Sequence, residues 1–445
     1  MGILFPGFTQ SIVLQIILVI AYVFLFLFLI RKMSFFSLDG IQPRFVSAVF
    51  LLKILAGCCL GLIYTYYYTE RSTADTFKFF DDSKILFSAL AENPKHFFEM
   101  LTGVNSDSPE LMKYYQNMNA WNNVDVLFND NKTLIRLNAI FQCFSLGYYY
   151  VHVVFMNFIS YTGLIALFKL FQSFEKNKTK ELFAGVMLLP SMLFWGSGLL
   201  KDGLLLFAFG MLLYSFNKIV RLKYSRTNLI VFVLCLLLLT ITKLYVLIII
   251  LPGVAAWYWS RHDKTGKIIF KFIGCYTLYF ILAFNIGSVI DKYNVTDLIY
   301  FKQKNFFVLV ESTKANSVIE ITHVERNALS IIRHSPEAFL RVLFRPSLTE
   351  STSAFIGMAA VENVMILLLL LLSILTFKRS EVLKQPIFYF SVLFVLLMFI
   401  LIGLITPIMG AMVRYKVPAL PFLMFVFISM YDREKLRRWT RGSRQ

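Results

Sequence analysis

Charged residues are scarce in this sequence. Asp, Glu, Lys and Arg make up 16% of its 445 residues, whereas a soluble globular protein carries about a quarter. Hydrophobic residues make up 58%, and the mean hydropathy is +0.67. So few charged side chains cannot cover a surface that faces water on all sides. The composition therefore excludes an ordinary soluble globule and indicates an integral membrane protein.

The sequence also lacks the residue spacings of metal and disulfide sites. The five histidines show no ligand spacing, and neither do the five cysteines, four of which fall in predicted membrane spans. We therefore expect the cysteines to be small buried hydrophobic residues without a disulfide framework. Internal repeats and low-complexity stretches are absent from the sequence as well.

The chain instead contains a long series of apolar segments. A helix needs roughly 20 apolar residues to cross about 30 Å of hydrocarbon. The predicted spans number about eleven: 12–30, 46–66, 148–172, 182–198, 202–217, 229–241, 244–259, 268–287, 357–377, 386–405 and 415–431. No small-residue cleavage site follows the first span, so we interpret it as a retained helix. The short fourth and fifth spans, and the sixth and seventh, are expected to form tight hairpins.

Basic residues are concentrated on one side of this predicted topology. The formal net charge is +18, and six segments on that side hold 22 Lys/Arg against seven Asp/Glu: 31–45, 173–181, 218–228, 260–267, 378–385 and the tail 432–445. The positive-inside rule makes these segments cytoplasmic, with the N-terminus outside and the C-terminus inside. The basic charge is thus a topology signal, and no nucleic-acid partner is expected. The tail is expected to contact anionic membrane lipids.

Two long segments, 67–147 and 288–356, fall on the outer side of what we take as a single membrane domain over 1–445. They are too polar to span the membrane and too apolar to be disordered, so we expect amphipathic helices along the outer surface. Long structured loops on one face usually carry function. The predicted working face is therefore the outer one.

Three acids open the first outer segment, in the stretch "TADTFKFFDD". In a helix over 74–90, Asp75, Phe79 and Asp82 share one face, with Asp81 as the alternative acid. A carboxylate there can deprotonate an acceptor hydroxyl as a general base. Two carboxylates together would also suit a divalent cation. The competing interpretation is a solvated acidic helix start, which the helix dipole favours.

Cations from several other segments map to the outer ends of spans. A charge at the centre of a membrane helix costs about 2.5–3.5 kcal/mol, so such residues are usually functional or paired. Arginine and lysine both suit phosphate oxygens. The candidate phosphate-binding residues are Lys201, Lys243, Arg345, Arg414 and Lys416, supported by Asp202, Arg341 and Tyr415. Asp202 would hold or tune Lys201, although both could simply lie at the wet tip of a hairpin. Four other cations are expected to reach water from helix ends: Lys53, Arg136, Lys169 and Lys271.

Acids on one outer loop and cations on several others suit sugar transfer from a polyprenyl-phosphate carrier. The acid would deprotonate the acceptor hydroxyl, and the cations would neutralise the charge that develops on the leaving phosphate.

With these motifs the chain resembles the GT-C superfamily of integral-membrane glycosyltransferases. In that family an essential acid lies in an early outer loop, and "TADTFKFFDD" is similar to that loop, with Asp75 at the position of the acid. The family's loop usually follows the first span, whereas here it follows the second. The chain also resembles bacterial envelope-polysaccharide membrane proteins through "PSMLFWGSGLLKD", "LFRPS" and an "RY" with prolines near the last span.

The resemblance implies an all-α, polytopic, GT-C-like protein of the bacterial inner membrane with its active site on the outer face. It implies a polyprenyl phosphate- or diphosphate-linked sugar donor and a glycan or lipid acceptor. No clear later acidic-pair motif for a metal is present, so no cofactor is specified and dependence on Mg²⁺ or Mn²⁺ stays open.

Two alternatives stay open beside a single-sugar transferase. A polysaccharide repeat-unit polymerase or ligase would use the same chemistry on a larger acceptor. A transporter or flippase of lipid-linked sugars belongs to another class, and transporters usually show internal repeats and polar residues near the membrane midplane. Here the polar residues collect at the outer ends, and a purely structural scaffold would not need cations from four separate loops.

Overall fold

A computed structural model describes residues 12–68, 71, 74–121, 129–221, 225–263, 267–290, 294–313, 317–378 and 381–442. Regular secondary structure in these ranges is helical, apart from two isolated antiparallel bridges that join Val318 to Ile408 and Phe377 to Tyr431. The all-helical fold class predicted from composition is therefore confirmed for the described part of the chain.

The α-helices of the described residues have the following bounds. They are α1 (Ile12–Lys32), α2 (Pro43–Tyr66), α3 (Asp75–Glu92), α4 (Pro94–Thr102), α5 (Met112–Tyr115), α6 (Asp130–Ser145), α7 (Tyr149–Gln172), α8 (Thr179–Met187), α9 (Pro190–Trp195), α10 (Lys201–Arg221), α11 (Arg226–Ser260), α12 (Ile268–Asn285), α13 (Val295–Thr313), α14 (Ala328–Phe344), α15 (Ala354–Leu375), α16 (Pro386–Ile405), α17 (Met409–Lys416), α18 (Leu420–Met430) and α19 (Arg433–Gly442).

Eight of the described helices are long and apolar enough to cross a membrane: α1, α2, α7, α10, α11, α12, α15 and α16. Helices α17 and α18 would form a ninth span, bent by 63° at the short break between them. Many apolar side chains of these helices are exposed. In α1, none of the residues of its apolar membrane-spanning stretch is buried. Exposed apolar surface of this extent requires a lipid environment, so the chain is a polytopic membrane protein.

Two stretches of the predicted spans contain breaks in the helix. Residues 182–198 form two short helices, α8 and α9, because Pro190 begins a new helix and an irregular segment, 196–200, follows it. The predicted break between 229–241 and 244–259 is present, since the 35 residues of α11 are two helices that meet at Lys243, whose backbone is not helical (φ −149°, ψ 72°). A straight helix of that length would measure about 52 Å, well beyond the roughly 30 Å of hydrocarbon.

The segments 67–147 and 288–356 both contain helices. Segment 67–147 contains α3 to α6, and segment 288–356 contains α13 and α14. The basic tail forms α19, with residues 443–445 outside the described part.

The chain divides into two compact units. Unit 1 comprises the described parts of Met1–Lys169, Met192–Phe216 and Ser225–Leu244. Unit 2 comprises those of Leu170–Ser191, Asn217–Tyr224 and Tyr245–Gln445.

The core of unit 1 is built on the packing of α3 against α6 and α4. Helix α3 is amphipathic, and it buries Phe79, Phe80 and Leu86 on one face. Asn93 ends α3 and caps α4, since its side chain accepts a hydrogen bond from the amide of Lys95. This packing sets where the first residues of α3 and α6 lie.

A buried polar network ties α3, α6 and α7 together. The ring of His152 bonds Asn138 Oδ1 through Nδ1 (2.8 Å) and Ser145 Oγ through Nε2 (2.7 Å). Gln142 Nε2 donates to Ser83 Oγ on α3 at 2.9 Å. All five side chains are buried, and satisfied buried networks of this kind specify one arrangement of their helices.

Helices α7 and α10 cross at glycines within unit 1. A Cβ on Gly210 would lie 2.1 Å from the carbonyl oxygen of Gly163, and one on Gly163 would lie 2.2 Å from that of Leu206. The two backbones therefore touch, as in small-residue crossings of membrane helices. This crossing fixes α10, and with it Lys201 at the start of that helix.

Unit 2 is organised around α16, which packs against α14 and α18. The contact with α14 is close, because a Cβ on Gly403 would lie 2.2 Å from the carbonyl oxygen of Ala338. The end of α18 is held by Lys178, whose Nζ donates to the carbonyl oxygens of Ile428 (2.7 Å) and Tyr431 (2.6 Å).

Candidate functional site

Asp130 is the centre of a charged cluster in unit 1. Its Oδ1 lies 2.5 Å from Nζ of Lys201, and its Oδ2 lies 3.4 Å from Nζ of Lys243. The three side chains are 23%, 14% and 16% exposed, respectively, so water screens the ion pairs weakly. Two of the predicted phosphate-binding lysines, from α10 and α11, therefore share one carboxylate of α6.

Local sequence explains how these three side chains meet. Asn129 caps α6, accepting from the amide of Asn131 at 3.1 Å, and Asp130 follows in the first helical turn, where the helix dipole favours an acid. Thr133 lies three residues after Asp130, on the same face of α6, and donates to the carbonyl oxygen of Ile241 at 3.1 Å. The first turn of α6 thus docks on α11 just before its interruption at Lys243.

The lysines keep Asp130 ionised. Burial by itself would raise the pKa of this carboxyl, but the charges of Lys243 and Lys201 outweigh burial and hold the pKa below its ordinary value of 3.8. A carboxylate whose pKa is lowered and whose two oxygens each face an ammonium group is a weak general base. Asp130 is therefore suited to orienting the two lysines.

Asp75 belongs to the same neighbourhood. It is the first residue of α3, is half-buried, and interacts electrostatically with Lys201. One turn along α3, the ring of Phe79 lies 5.4 Å from Lys201 Nζ, measured to the ring centroid. The structure therefore brings together the predicted base, Asp75, and the predicted phosphate ligand, Lys201.

Asp82 is engaged elsewhere. It is fully buried, and its two oxygens accept from the backbone amides of Asn119 (2.8 Å) and Ala120 (2.7 Å). Burial raises the pKa of this carboxyl above its ordinary value, against the effect of those hydrogen bonds. Asp82 holds the 119–120 backbone against α3, which is a structural task.

Asp81 lies nearer the surface, paired with Arg71. The guanidinium donates to both carboxylate oxygens, at 2.8 Å and 2.7 Å, and the side chains are 51% (Arg71) and 32% (Asp81) exposed. Of the three acids in the sequence motif, Asp75 is thus the one whose electrostatic partner is Lys201.

The partner of Lys201 differs from the expected one. The sequence suggested Asp202, but the hydrogen bond of Lys201 goes to Asp130, and Asp202 is buried at 3% exposure. Asp130 was not predicted from the sequence, because it is a single acid among polar neighbours in "NDNKT" and belongs to no recognisable motif.

Lys53 overturns a second expectation. The sequence placed it near a helix end with its ammonium group in water, but its side chain is 0% exposed. Its Nζ donates to the carbonyl oxygen of Gly196 and to Ser197 Oγ.

Lys416 and Arg345 meet in unit 2. Lys416 is 5% exposed, and its Nζ donates to the carbonyl oxygen of Arg345 (2.8 Å) and to Asn363 Oδ1 (3.2 Å). The guanidinium of Arg345 pairs with Glu350 at 3.0 Å and is 36% exposed. Lys416 therefore holds the backbone of the "LFRPS" segment, while the Arg345 side chain remains partly open to solvent.

The other predicted residues of unit 2 have separate surroundings. Arg341 pairs with Glu337 and donates to the carbonyl oxygen of Gly403 at 3.1 Å. Tyr415 packs edge-on against Phe306, with 6.1 Å between ring centroids, and Arg414 is half-buried on α17. The prediction that all five cations serve one phosphate stays a prediction.

A buried acid of unit 2 was missed by the sequence reasoning. Glu362, on α15, is 3% exposed and accepts from the amide of Ser191 at 2.6 Å. With Asn363 and Lys416 it lines a cavity of about 10 Å³, room for roughly one water molecule. The sequence does contain a signal for Glu362, because a single glutamate within an apolar span usually has a function or a partner.

The described residues contain no group of three or more His, Cys, Asp and Glu side chains that could hold a metal ion. Backbone amides already occupy both oxygens of Asp82, so the predicted Asp75–Asp82 pair offers fewer ligands than its spacing suggested. All five cysteines are unpaired, but the expectation that they are buried is correct only for Cys235, since Cys58 and Cys275 are partly exposed and Cys59 and Cys143 are exposed.

Comparisons with protein families, with curated proteins and with solved structures found no match for this chain.

Proposed function

We propose that this protein is a membrane glycosyltransferase that moves a sugar from a polyprenyl-phosphate-linked donor to an acceptor hydroxyl, in the synthesis of an envelope polysaccharide or other glycan. The observation that carries the proposal is the cluster of Asp75, Lys201, Asp130 and Lys243. In it Asp75, an acid at a helix start, interacts with Lys201, and Lys201 and Lys243 are partly shielded lysines that share the carboxylate of Asp130. Such a site offers a proton acceptor beside a binding place for a leaving phosphate.

The charges of the cluster suit the reaction. The acceptor oxygen forms a bond to the anomeric carbon of the sugar, and the bond from that carbon to the phosphate oxygen breaks. The hydroxyl proton passes to Asp75, and the bonding electrons leave with the polyprenyl phosphate or diphosphate. Once Asp75 is protonated, its negative charge no longer opposes the phosphate at Lys201. Proton transfer therefore strengthens the stabilisation of the leaving group by Lys201 and Lys243.

Asp130 would serve as the positioning acid in this mechanism. Its ionised carboxylate holds the two ammonium groups together before the donor arrives. Lysine side chains carry about 2 kcal/mol of rotamer entropy, so holding them in advance lowers the cost of binding phosphate.

The contacts of unit 1 support an outward-facing site. Asp130 belongs to the 67–147 segment, assigned to the outer side by loop charge, and it binds the first residue of α10. The other end of α10 carries Lys218 and Arg221, as the positive-inside rule requires.

From the positive-inside rule we also propose that the chain crosses the membrane eleven times. Basic segments 218–228 and 260–267 flank α11, which places both ends of that helix on the cytoplasmic side, with Lys243 at the outer turn. Helices α8 and α9 then form one broken crossing. A GT-C-like fold in a bacterial inner membrane, with the N-terminus outside, belongs to the same proposal.

The test is transfer of radiolabelled sugar in membranes that contain the wild type, Asp75→Asn or Lys201→Ala at matched expression. The matched control is Asp81→Asn, since Asp81 pairs with Arg71 away from the lysines. Loss of transfer in the first two variants only, with intact folding, supports the proposal. Full transfer in Asp75→Asn would remove Asp75 as the base.

A flippase for lipid-linked sugars is the second candidate. Glu362 and Lys416 are buried in or beside membrane spans, and ionisable groups inside spans often mark transport pathways. Movement of the lipid-linked sugar across the membrane, without transfer in any preparation, would favour this candidate. A repeat-unit polymerase or ligase would instead give products that grow by whole repeat units.

A further inference from the structure

Lys53 is a fully buried lysine without an acid. It lies in the membrane helix α2, its side chain is 0% exposed, and it forms no ion pair with any acid of the described ranges. A buried ammonium group is costly unless protein groups replace its hydration. Residues of this kind in membrane proteins usually have a task.

That task concerns the backbone of residues 196–200, which join α9 to α10. These five residues are buried but not helical. Non-helical backbone at membrane depth is stable only where protein groups satisfy its carbonyl oxygens. An ammonium group supplies three N–H donors, more than a hydroxyl or an amide offers.

Lys53 supplies the donors together with two residues of α7. Its Nζ donates to Gly196 O at 2.9 Å and to Ser197 Oγ at 3.1 Å. Ser160 Oγ donates to Gly196 O at 2.6 Å, and Asn157 Nδ2 donates to Ser197 O at 2.8 Å. The carbonyl of Gly196 is therefore satisfied from both α2 and α7, and that of Ser197 from α7, while Lys53 also holds the Ser197 hydroxyl.

Segment 196–200 also packs directly on the backbone of α2. Gly57 follows Lys53 by one helical turn, and a Cβ there would lie 2.4 Å from Ser197 O. The segment thus has little room to shift while these contacts hold. Because Lys201 is the next residue along the chain, its position depends on them.

We propose that Lys53 is a positioning residue. It fixes segment 196–200 so that Lys201 reaches Asp130. The placement of Lys201 is independent of any activity, whereas the consequence for a phosphate donor rests on the proposed function. Two measurements separate these parts.

The first measurement uses zero-length carbodiimide coupling of Lys201 to Asp130 in the purified full-length protein in lipid nanodiscs. The coupled peptides are quantified by mass spectrometry. We expect Lys53→Met to couple several-fold less than the wild type. Lys169→Met is the matched control, since Lys169 also bonds a carbonyl oxygen, that of Ser34, at an exposed site. Undiminished coupling in folded Lys53→Met would overturn the proposal.

A second variant keeps the test valid if Lys53→Met does not fold. Ser197→Ala retains the lysine and removes one of its two acceptors. We expect it to reduce coupling by less than Lys53→Met would. Wild-type coupling in folded Ser197→Ala together with unfolded Lys53→Met would assign Lys53 to stability alone and overturn the positioning role.

The second measurement is binding of farnesyl diphosphate in the same nanodiscs, with farnesol as the uncharged control. We expect Lys53→Met and Lys201→Met each to weaken binding about tenfold, and the double variant to lose little more, because both act through one ammonium group. Additive losses of about a hundredfold would contradict positioning. Equal binding of farnesyl diphosphate and farnesol by the wild type would contradict the proposed carrier, while the coupling result still decides the role of Lys53.

Discussion

The ammonium of Lys201 lies 2.5 Å from Oδ1 of Asp130, a residue 71 positions earlier in the chain. Lys243 approaches the other oxygen of the same carboxylate at 3.4 Å. One acid of α6 therefore holds the first residue of α10 and the interruption of α11 together. Removing its charge should affect both lysines at once.

Asp130→Asn is expected to lower the free energy of unfolding by about 1–3 kcal/mol, because two partly buried ammonium groups lose their counter-charge. It should also reduce sugar transfer. Denaturant unfolding in mild detergent measures the first effect. Asp81→Asn is the matched control, and loss of its exposed pair should cost under about 1 kcal/mol.

The effect of Asp130 should depend on pH. Because the lysines hold the folded-state pKa below the ordinary 3.8, its stabilisation is present above that value and is lost as the pH falls through the folded pKa. The stability difference between wild type and Asp130→Asn should therefore shrink below about pH 4. A difference that stays constant from pH 7 into this range would contradict the electrostatic account.

Substitution of Asp82 should lower stability, whereas substitution of Asp75 should lower activity. Asp82→Ala leaves the amides of Asn119 and Ala120 without acceptors, which should cost about 1–3 kcal/mol for each buried amide. Asp75→Asn should leave stability nearly unchanged and abolish transfer. The measurement is transfer per folded molecule, with thermal unfolding of both variants. The reverse pattern would exchange the roles of the two acids.

Lys416→Met should loosen the segment that carries Arg345. The carbonyl oxygen of Arg345 and the side-chain oxygen of Asn363 lose their donor, at about 1–3 kcal/mol each. Hydrogen exchange over residues 345–350 should become faster. Lys378→Met is the control, since Lys378 is 56% exposed and lies 3.8 Å from its partner Asp432. An unchanged rate of hydrogen exchange in Lys416→Met would show that residues 345–350 keep their structure without the Lys416 hydrogen bonds.

Gly210→Ala should destabilise the protein because its Cβ would lie 2.1 Å from the carbonyl oxygen of Gly163. Separating two packed helices costs on the order of 1–3 kcal/mol. Gly274→Ala is the control, with no atom within 4 Å of the added carbon, and it should be neutral or slightly stabilising. Equal thermal stability of the two variants would show that α7 and α10 separate easily.

Sequence reasoning was most successful where the signal is local. Low charge and long apolar runs predicted an all-helical membrane protein, and helical spacing predicted α3 and the shared face of Phe79 and Asp82. The motif also contains Asp75, whose charge acts on the ammonium group of Lys201. The predicted break between 229–241 and 244–259 is present at Lys243, whereas the break at Pro190 within 182–198 was not predicted.

Partners of charged groups could not be read from the sequence. The sequence did not predict Asp130 as a site residue. It predicted that Lys53 would reach water and that Lys201 would pair with the neighbouring Asp202, and both predictions are wrong. These errors share a cause. A lysine near the end of an apolar segment looks the same whether its ammonium group reaches water, a buried carbonyl or a distant acid.

The sequence by itself determined that this chain is helical, apolar enough for the membrane and supplied with acids and cations outside its predicted spans. Helix formation and burial in lipid depend on residues a few positions apart, so a linear pattern records them. Only the tertiary structure decided that Asp130 joins Lys201 to Lys243 and that Lys53 holds the segment before Lys201. An ion pair or buried hydrogen bond depends on distances between segments far apart in the chain, and packing alone sets those distances.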